Sequence, residues 1–200
     1  MSREVIAAGI PFSELCKISW QSLKGKRCLC FGAGLFVGLM HLGGAMIPYL
    51  GDFAGYLLAP FFAGNILLLL RVIRGEELSF DAIFVPSNRY FRFVWASIRM
   101  QIFIFLWSLL LIIPGIIAFY RYAMTTFIML DYPECSVKEA MAESSEIMYG
   151  HKLQFMGYSI LLGLIVFAGT VCTLGIGLFW LIPWAGAFMA AFYDSIRRQC

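Results

Sequence analysis

Long apolar runs alternate with short polar stretches along the whole chain. A helix needs roughly 20 apolar residues to cross the hydrocarbon core of a bilayer, and six runs approach that length. They cover residues 28–50, 53–72, 93–113, 114–130, 153–172 and 174–193. The pattern predicts an all-α polytopic membrane protein with six transmembrane helices in a single domain. In lipid, a helix satisfies all its backbone hydrogen bonds within one such segment.

The connections between the runs are of two kinds. Gly51-Asp52, Pro114-Gly115 and Thr173-Leu174-Gly175 are tight turns without Lys or Arg, which pair the spans into three helical hairpins. The other connections are long and basic. Arg3, Lys17, Lys24, Lys26 and Arg27 precede the first span. Arg71, Arg74, Arg89 and Arg92 lie between the second and third, with Arg99 just inside the third. Lys138 and Lys152 lie between the fourth and fifth, and Arg197 and Arg198 follow the sixth. Of the 15 Lys and Arg, only Arg121 is not on that side or at its edge. The positive-inside rule then predicts cytoplasmic N and C termini.

Each hairpin follows a segment that reads as a cytoplasmic interfacial helix. In Ser136 to Gly150, Ser136 and Glu139 have capping-box spacing. Val137, Ala140, Met141, Ser144, Ile147 and Met148 form a stripe at helical period. Gly150 suits a left-handed stop. The first segment repeats the plan, with Ser13 as cap, Leu15, Ile18 and Leu23 apolar, and Gly25 before Lys26-Arg27. The middle segment, Ser79 to Phe91, is looser: Phe80, Ile83 and Phe84 share a face and Pro86 interrupts it. Pro60, Pro114 and Pro183 each follow an apolar run. These echoes suggest three repeat units, 13–72, 79–130 and 136–194. Shared composition is the bland alternative.

Composition sharpens the solvent question. The chain has 200 residues, 61% hydrophobic and only 14% charged, against about 25% charged in a soluble domain. Lipid must therefore cover much of its surface. A net charge of +3 argues against a nucleic-acid partner. The first 27 residues hold several charges and no long apolar run, unlike a cleavable signal peptide. Cys16, Cys28, Cys30, Cys135, Cys172 and Cys200 fit no zinc spacing, so no metal, cofactor or disulfide framework is expected.

Polar residues within the spans are the candidates for chemistry. His41 in the first span and Asn65 in the second read either as helix–helix hydrogen bonds or as part of a polar, ligand-binding path. Gly34 and Gly38 make a GxxxG, which lets helices approach within the chain or in a dimer. Trp95, Trp180, Trp184, Tyr49, Tyr56, Tyr120, Tyr158 and Tyr193 lie near span ends and suit an aromatic belt.

Arg121 is the outlier. A charge at a helix centre costs about 2.5–3.5 kcal/mol on insertion scales, and a guanidinium does not shed its proton. Arg121 lies about 10 Å of helix beyond Pro114. Asp131 and Glu134 fall past the end of that span and are not expected as its partners. Three readings stay open: a lock on carbonyls freed by prolines, an anion site in a wet cavity, or a side chain snorkelling to the interface.

The stretch LLIIPGIIAFYRYAMTTFIMLDYPECSVKEAMAESSEIMYGHKLQFM, from Leu110 to Met156, resembles a widespread bacterial family of uncharacterised multi-pass membrane proteins. Support comes from TLGIGLFWLIPWAGAFMAAFYDSI near the end and ISWQSLKGKR near the start. That family looks related to the membrane domain attached to some glycerophosphoryl diester phosphodiesterases. The resemblance implies six helices in a bacterial cytoplasmic membrane. It implies no activity, and phosphodiesterase catalysis does not carry over.

No H-E-x-x-H, G-x-S-x-G or Walker pattern occurs, and no pair of acids lies within the spans. The expectation is a non-enzymatic membrane protein that binds or transports an amphiphile or anionic lipid, with Arg121, His41 and Asn65 as ligand-binding candidates. Membrane lipids are the expected partners. The alternative is a structural or regulatory protein whose cytoplasmic helices dock another protein.

Overall fold

The structure is a computed structural model that describes residues 11–46, 55–84, 87–110 and 112–197. Its elements are α1 (Phe12–Ser22), α2 (Arg27–Ala45), α3 (Ala59–Arg74), a 3-10 turn (Phe80–Ile83) and α4 (Ser87–Leu110). They continue with α5 (Ile112–Tyr122), α6 (Thr125–Asp131), α7 (Val137–Ile147), α8 (Lys152–Cys172) and α9 (Leu178–Arg197). The described residues are helical without a strand. Among the described residues, three stretches are long and apolar enough to cross a membrane: Arg27–Gly44, Ile113–Asp131 and Lys152–Cys172.

α3 and α9 form the centre. α9 packs on α1, α2, α3 and α8, while α3 also touches α4, α6 and the 3-10 turn. The fully buried side chains gather towards the C-terminal ends of these helices. Leu68, Leu70 and Val72 come from α3, and Phe188, Phe192 and Tyr193 from α9. Leu15 and Leu23 of the α1 region, Met124 and Ile128 at α5–α6, and Met148 after α7 complete the core. Phe12 seals one side, with its ring centroid 5.4 Å from Tyr158 and 5.0 Å from Phe188. Removing such side chains from water contributes about 1.5–3 kcal/mol each. Against lipid, which is as apolar as leucine, that drive disappears and close packing must hold the helices.

α8 shows the opposite regime. Its mean hydropathy is 2.0, yet only 11% of it is buried, chiefly Phe155 and Leu162. Leu164, Phe167 and Val171 are exposed. Its contacts with α9 run from Tyr158 on Phe192 to Leu181 beside Gly169. α4 meets α5 through Phe103 on Tyr122 and Ser108 on Gly115.

The interfacial segments come out unequally. α7 has its capping box: the Ser136 side chain accepts from the Glu139 amide, and the Glu139 carboxylate accepts from the Ser136 amide. Those bonds hold the Glu139 carboxyl below its ordinary pKa. The whole stripe from Val137 to Met148 is buried. Gly25 and Gly150, 125 residues apart, both adopt positive φ, 78° and 84°. α1 begins at Phe12 without a side-chain cap, so Ser13 does not cap it. The Pro11 carbonyl accepts from Glu14 and Leu15 instead.

The middle segment is not a helix over 79–91. Ser79 caps a short 3-10 turn through the Asp81 amide, and α4 starts at Ser87. The close approach of the turn to α3 depends on Gly64, where a Cβ would sit 2.2 Å from the Ile83 carbonyl oxygen. Pro114-Gly115 is not the turn between α4 and α5. Pro114 lies in the first turn of α5, where its missing N–H costs no bond. The predicted Gly51-Asp52 turn and Pro86 lie outside the described residues. Of the GxxxG pair, Gly34 faces Ile182 at 3.9 Å and Gly38 faces open space. Tyr193 and Trp184 are buried rather than part of a belt.

Candidate functional site

Two polar constructions stand out, an open chamber and a lattice of charges. The chamber has a volume of about 760 Å³, within the 300–1,000 Å³ usual for ligand pockets. α2 contributes His41, and α3 contributes Asn65, Phe62, Ile66 and Leu69. α4 adds Ser97, Met100, Gln101 and Ile104. Phe119, Tyr120, Tyr122, Met124, Thr126 and Phe127 come from α5–α6, Phe155 and Ser159 from α8, and Gly186 and Met189 from α9. The wall is mostly aromatic, aliphatic and thioether, and among the described residues no Lys, Arg, Asp or Glu lines it.

Sequence and packing explain why space remains here. α5 ends at Tyr122, and Ala123-Met124 form a turn before α6. The helix axis is interrupted beside α4 at the level where Phe103 meets Tyr122. Gly186 lets Leu69 approach α9, where a Cβ would lie 2.6 Å from the Leu69 methyl.

The polar groups of the chamber are sparsely matched. Nδ1 of His41 lies 3.0 Å from the Val37 carbonyl. A carbonyl only accepts, so Nδ1 donates, and a neutral ring then presents Nε2 as an acceptor. Oδ1 of Asn65 is buried without a hydrogen-bond partner. Ser159 donates to its own helix, to Phe155 O at 2.8 Å.

Two of the three residues singled out by sequence, His41 and Asn65, thus share one cavity. Arg121 does not join them. Its neighbours Tyr120 and Tyr122 line the chamber while Arg121 is exposed. Its Nε donates to the Ser145 hydroxyl of α7. Its carbonyl accepts from Ser144 Oγ at 2.9 Å. Tyr120, next to it, packs on Phe155 one turn into α8, so Arg121 sits beside the start of α8. The guanidinium meets a side-chain hydroxyl at the surface, not carbonyls freed by a proline.

The charge lattice lies where α3, α6 and α9 end. Arg74 donates through Nη1 and Nη2 to the two carboxylate oxygens of Asp131, at 2.8 and 2.9 Å. Its Nε donates to Asp194 Oδ1 at 3.2 Å. Asp131 also accepts from the Tyr193 hydroxyl at 3.0 Å and from Arg197. Arg197 donates to the Tyr193 oxygen at 2.7 Å, and its guanidinium lies 4.2 Å from the Tyr132 ring. Bidentate pairing of this kind is strong and directional. It ties three helix ends together around one carboxylate. Sequence reasoning missed it, because its members are 57 and 120 residues apart. The available signal was an acid at the end of an apolar run facing arginines at the ends of two others.

A smaller pocket of about 230 Å³ lies between α3, the 3-10 turn and α4, lined by Arg71, Asp81, Arg89, Phe84 and Phe93. Among the described residues no group of three or more His, Cys, Asp or Glu is placed to hold a metal ion.

Residues 92–200 match the family model described as protein of unknown function (DUF975). The match takes in α4 to α9, and so most of the chamber wall and three of the four lattice charges. His41, Asn65 and Arg74 fall outside it. No curated protein and no solved structure matches the chain.

Proposed function

We propose that this chain, which belongs to the DUF975 family of proteins of unknown function, is an integral membrane protein that holds an amphiphile in the chamber between its helices, without catalysing a reaction. On this reading the six apolar runs all cross a cytoplasmic membrane as three hairpins, with both termini cytoplasmic. The skewed placement of Lys and Arg and the pairing of α4 with α5 and α8 with α9 support that arrangement. Arg121, Lys152 and the buried core beneath them then mark the cytoplasmic boundary, and Arg121 snorkels.

One observation carries the reading: a cavity of about 760 Å³ with a largely apolar wall and, among the described residues, no charged lining group, set against a tightly packed core. Such a space suits an apolar body with a small polar end. An anionic headgroup would find its cations outside the chamber, at the basic end.

The alternative of docking a partner through the cytoplasmic helices would have to use their polar faces. The apolar stripe of α7 is already buried inside the chain. Filling the chamber separates the two readings. Ser97→Trp should remove co-purifying amphiphile, measured by native mass spectrometry, while the protein stays folded. Equal lipid in wild type and folded variant would sink the proposal.

A further inference from the structure

Resting on the chamber reading just given, we infer that the occupant is an uncharged amphiphile whose polar group donates a hydrogen bond to Asn65. Three features of the wall converge on this class. Among the described residues no ionised side chain lines the chamber, and a headgroup taken out of water with its charge needs a paired counter-charge. Arg121 offers none, because it faces outward and donates to Ser145.

The second feature is the orphan acceptor. Oδ1 of Asn65 is buried and unbonded. A buried acceptor left unmet destabilises the fold by more than the bond would return if made. A donor from a ligand removes that penalty. The third is His41, whose Nδ1 is committed to the Val37 carbonyl. In a neutral ring only an acceptor remains at Nε2. Ser97, Gln101, Thr126 and three tyrosines of the wall can donate as well, but none carries a charge to pair with a carboxylate or phosphate, and the acceptors at Asn65 and His41 call for a donor on the ligand. Met100 and Met189 lie in the same wall, and flexible thioethers adapt to chains of differing shape.

The test is a competition on the detergent-purified full chain, with equal amounts of three probes. These are dioleoylglycerol, its methyl ether at the free hydroxyl, and dioleoyl phosphatidylglycerol. Retained lipid is counted by native mass spectrometry. Wild type should keep the free alcohol over the ether by about tenfold, roughly what one buried hydrogen bond supplies, and over phosphatidylglycerol by at least as much. Asn65→Leu should bring the alcohol-to-ether ratio to about one. Equal retention of alcohol and ether by wild type, or preference for phosphatidylglycerol, overturns the inference. The wild-type comparison is decisive even if a variant misfolds. Ser97→Trp separates the two levels. If it retains all probes as wild type does, the chamber itself is not the site. If it loses them while wild type shows no discrimination, the chamber stands and only the donor rule falls.

Discussion

The charge lattice and the chamber treat polar atoms in opposite ways. At the lattice, both oxygens of Asp131 are met by Arg74, Tyr193 and Arg197; the three charged side chains are 10–29% exposed and Tyr193 is fully buried. In the chamber, the Asn65 carbonyl oxygen has no partner. Both sites are built from α3, α6 and α9, and both sit among apolar neighbours. Unpartnered buried atoms also occur at Arg27, Arg92, Thr125 and Trp184, but of these five residues only Asn65 lines the chamber. Where one is left idle inside a cavity, stability has been given up, a common sign of a site kept for something else. The lattice closes one end of the bundle, and the chamber is held open above it.

Breaking the lattice should have the largest effect. Asp131→Asn leaves Arg197 without its carboxylate and Arg74 with Asp194 alone. A loss of about 3 kcal/mol is expected, read as a lowered unfolding midpoint in detergent, with amphiphile binding lost only as the protein unfolds. Next comes the contact that braces α3. Gly64→Ala places a methyl against the Ile83 carbonyl and should cost about 2 kcal/mol. An unchanged midpoint would show that the 3-10 turn does not press on α3.

The cap of α7 is a smaller lever. Ser136→Ala should remove about 1 kcal/mol. It also predicts a pH dependence. The folded-state pKa of Glu139 is lowered by its bonds to Ser136. Its contribution is therefore present above the ordinary carboxylate pKa and is lost as pH falls through the lower folded value. The Ser136 amide that donates to Glu139 survives in Ser136→Ala, so the variant that removes the titrating group is Glu139→Ala, and its midpoint and that of wild type, scanned from neutral pH into acid, should converge.

The chamber should respond with the opposite sign. Asn65→Leu removes an unmet acceptor and should raise the delipidated protein's stability by about 1 kcal/mol, while abolishing selectivity for the hydroxyl-bearing probe. A variant that lost stability instead would place Asn65 with the lattice as a structural group. Arg121→Ala, at an exposed site, should change stability by no more than about 0.5 kcal/mol. A large loss would make Arg121 a lock after all.

Much of the helical plan was legible because its signals are local. The capping box at Ser136, the stripe from Val137 to Met148 and the stops at Gly25 and Gly150 each need only a few consecutive residues. Apolar runs were legible for the same reason, three of the six reaching membrane length as helices among the described residues, and His41 and Asn65 stood out as polar residues within such runs. The sequence misled where a local motif had to compete with tertiary contacts. Ser79 to Phe91 has a face of helical period, but Gly64 admits the tighter 3-10 turn. Tyr193 lies near a predicted span end, yet it is buried where Asp131 and Arg197 need its hydroxyl.

Hydropathy and caps are properties of segments, so the chain alone determined that its elements are helices and that several are apolar enough to cross a membrane. Burial is a property of neighbours. α8 and α9 are both strongly apolar, but only packing made one an exposed cover and the other the centre of the core. Likewise only the fold brought His41 and Asn65 to one cavity and turned Arg121 away from it. A side chain's direction is set by the register of helices distant in sequence, which no local pattern encodes.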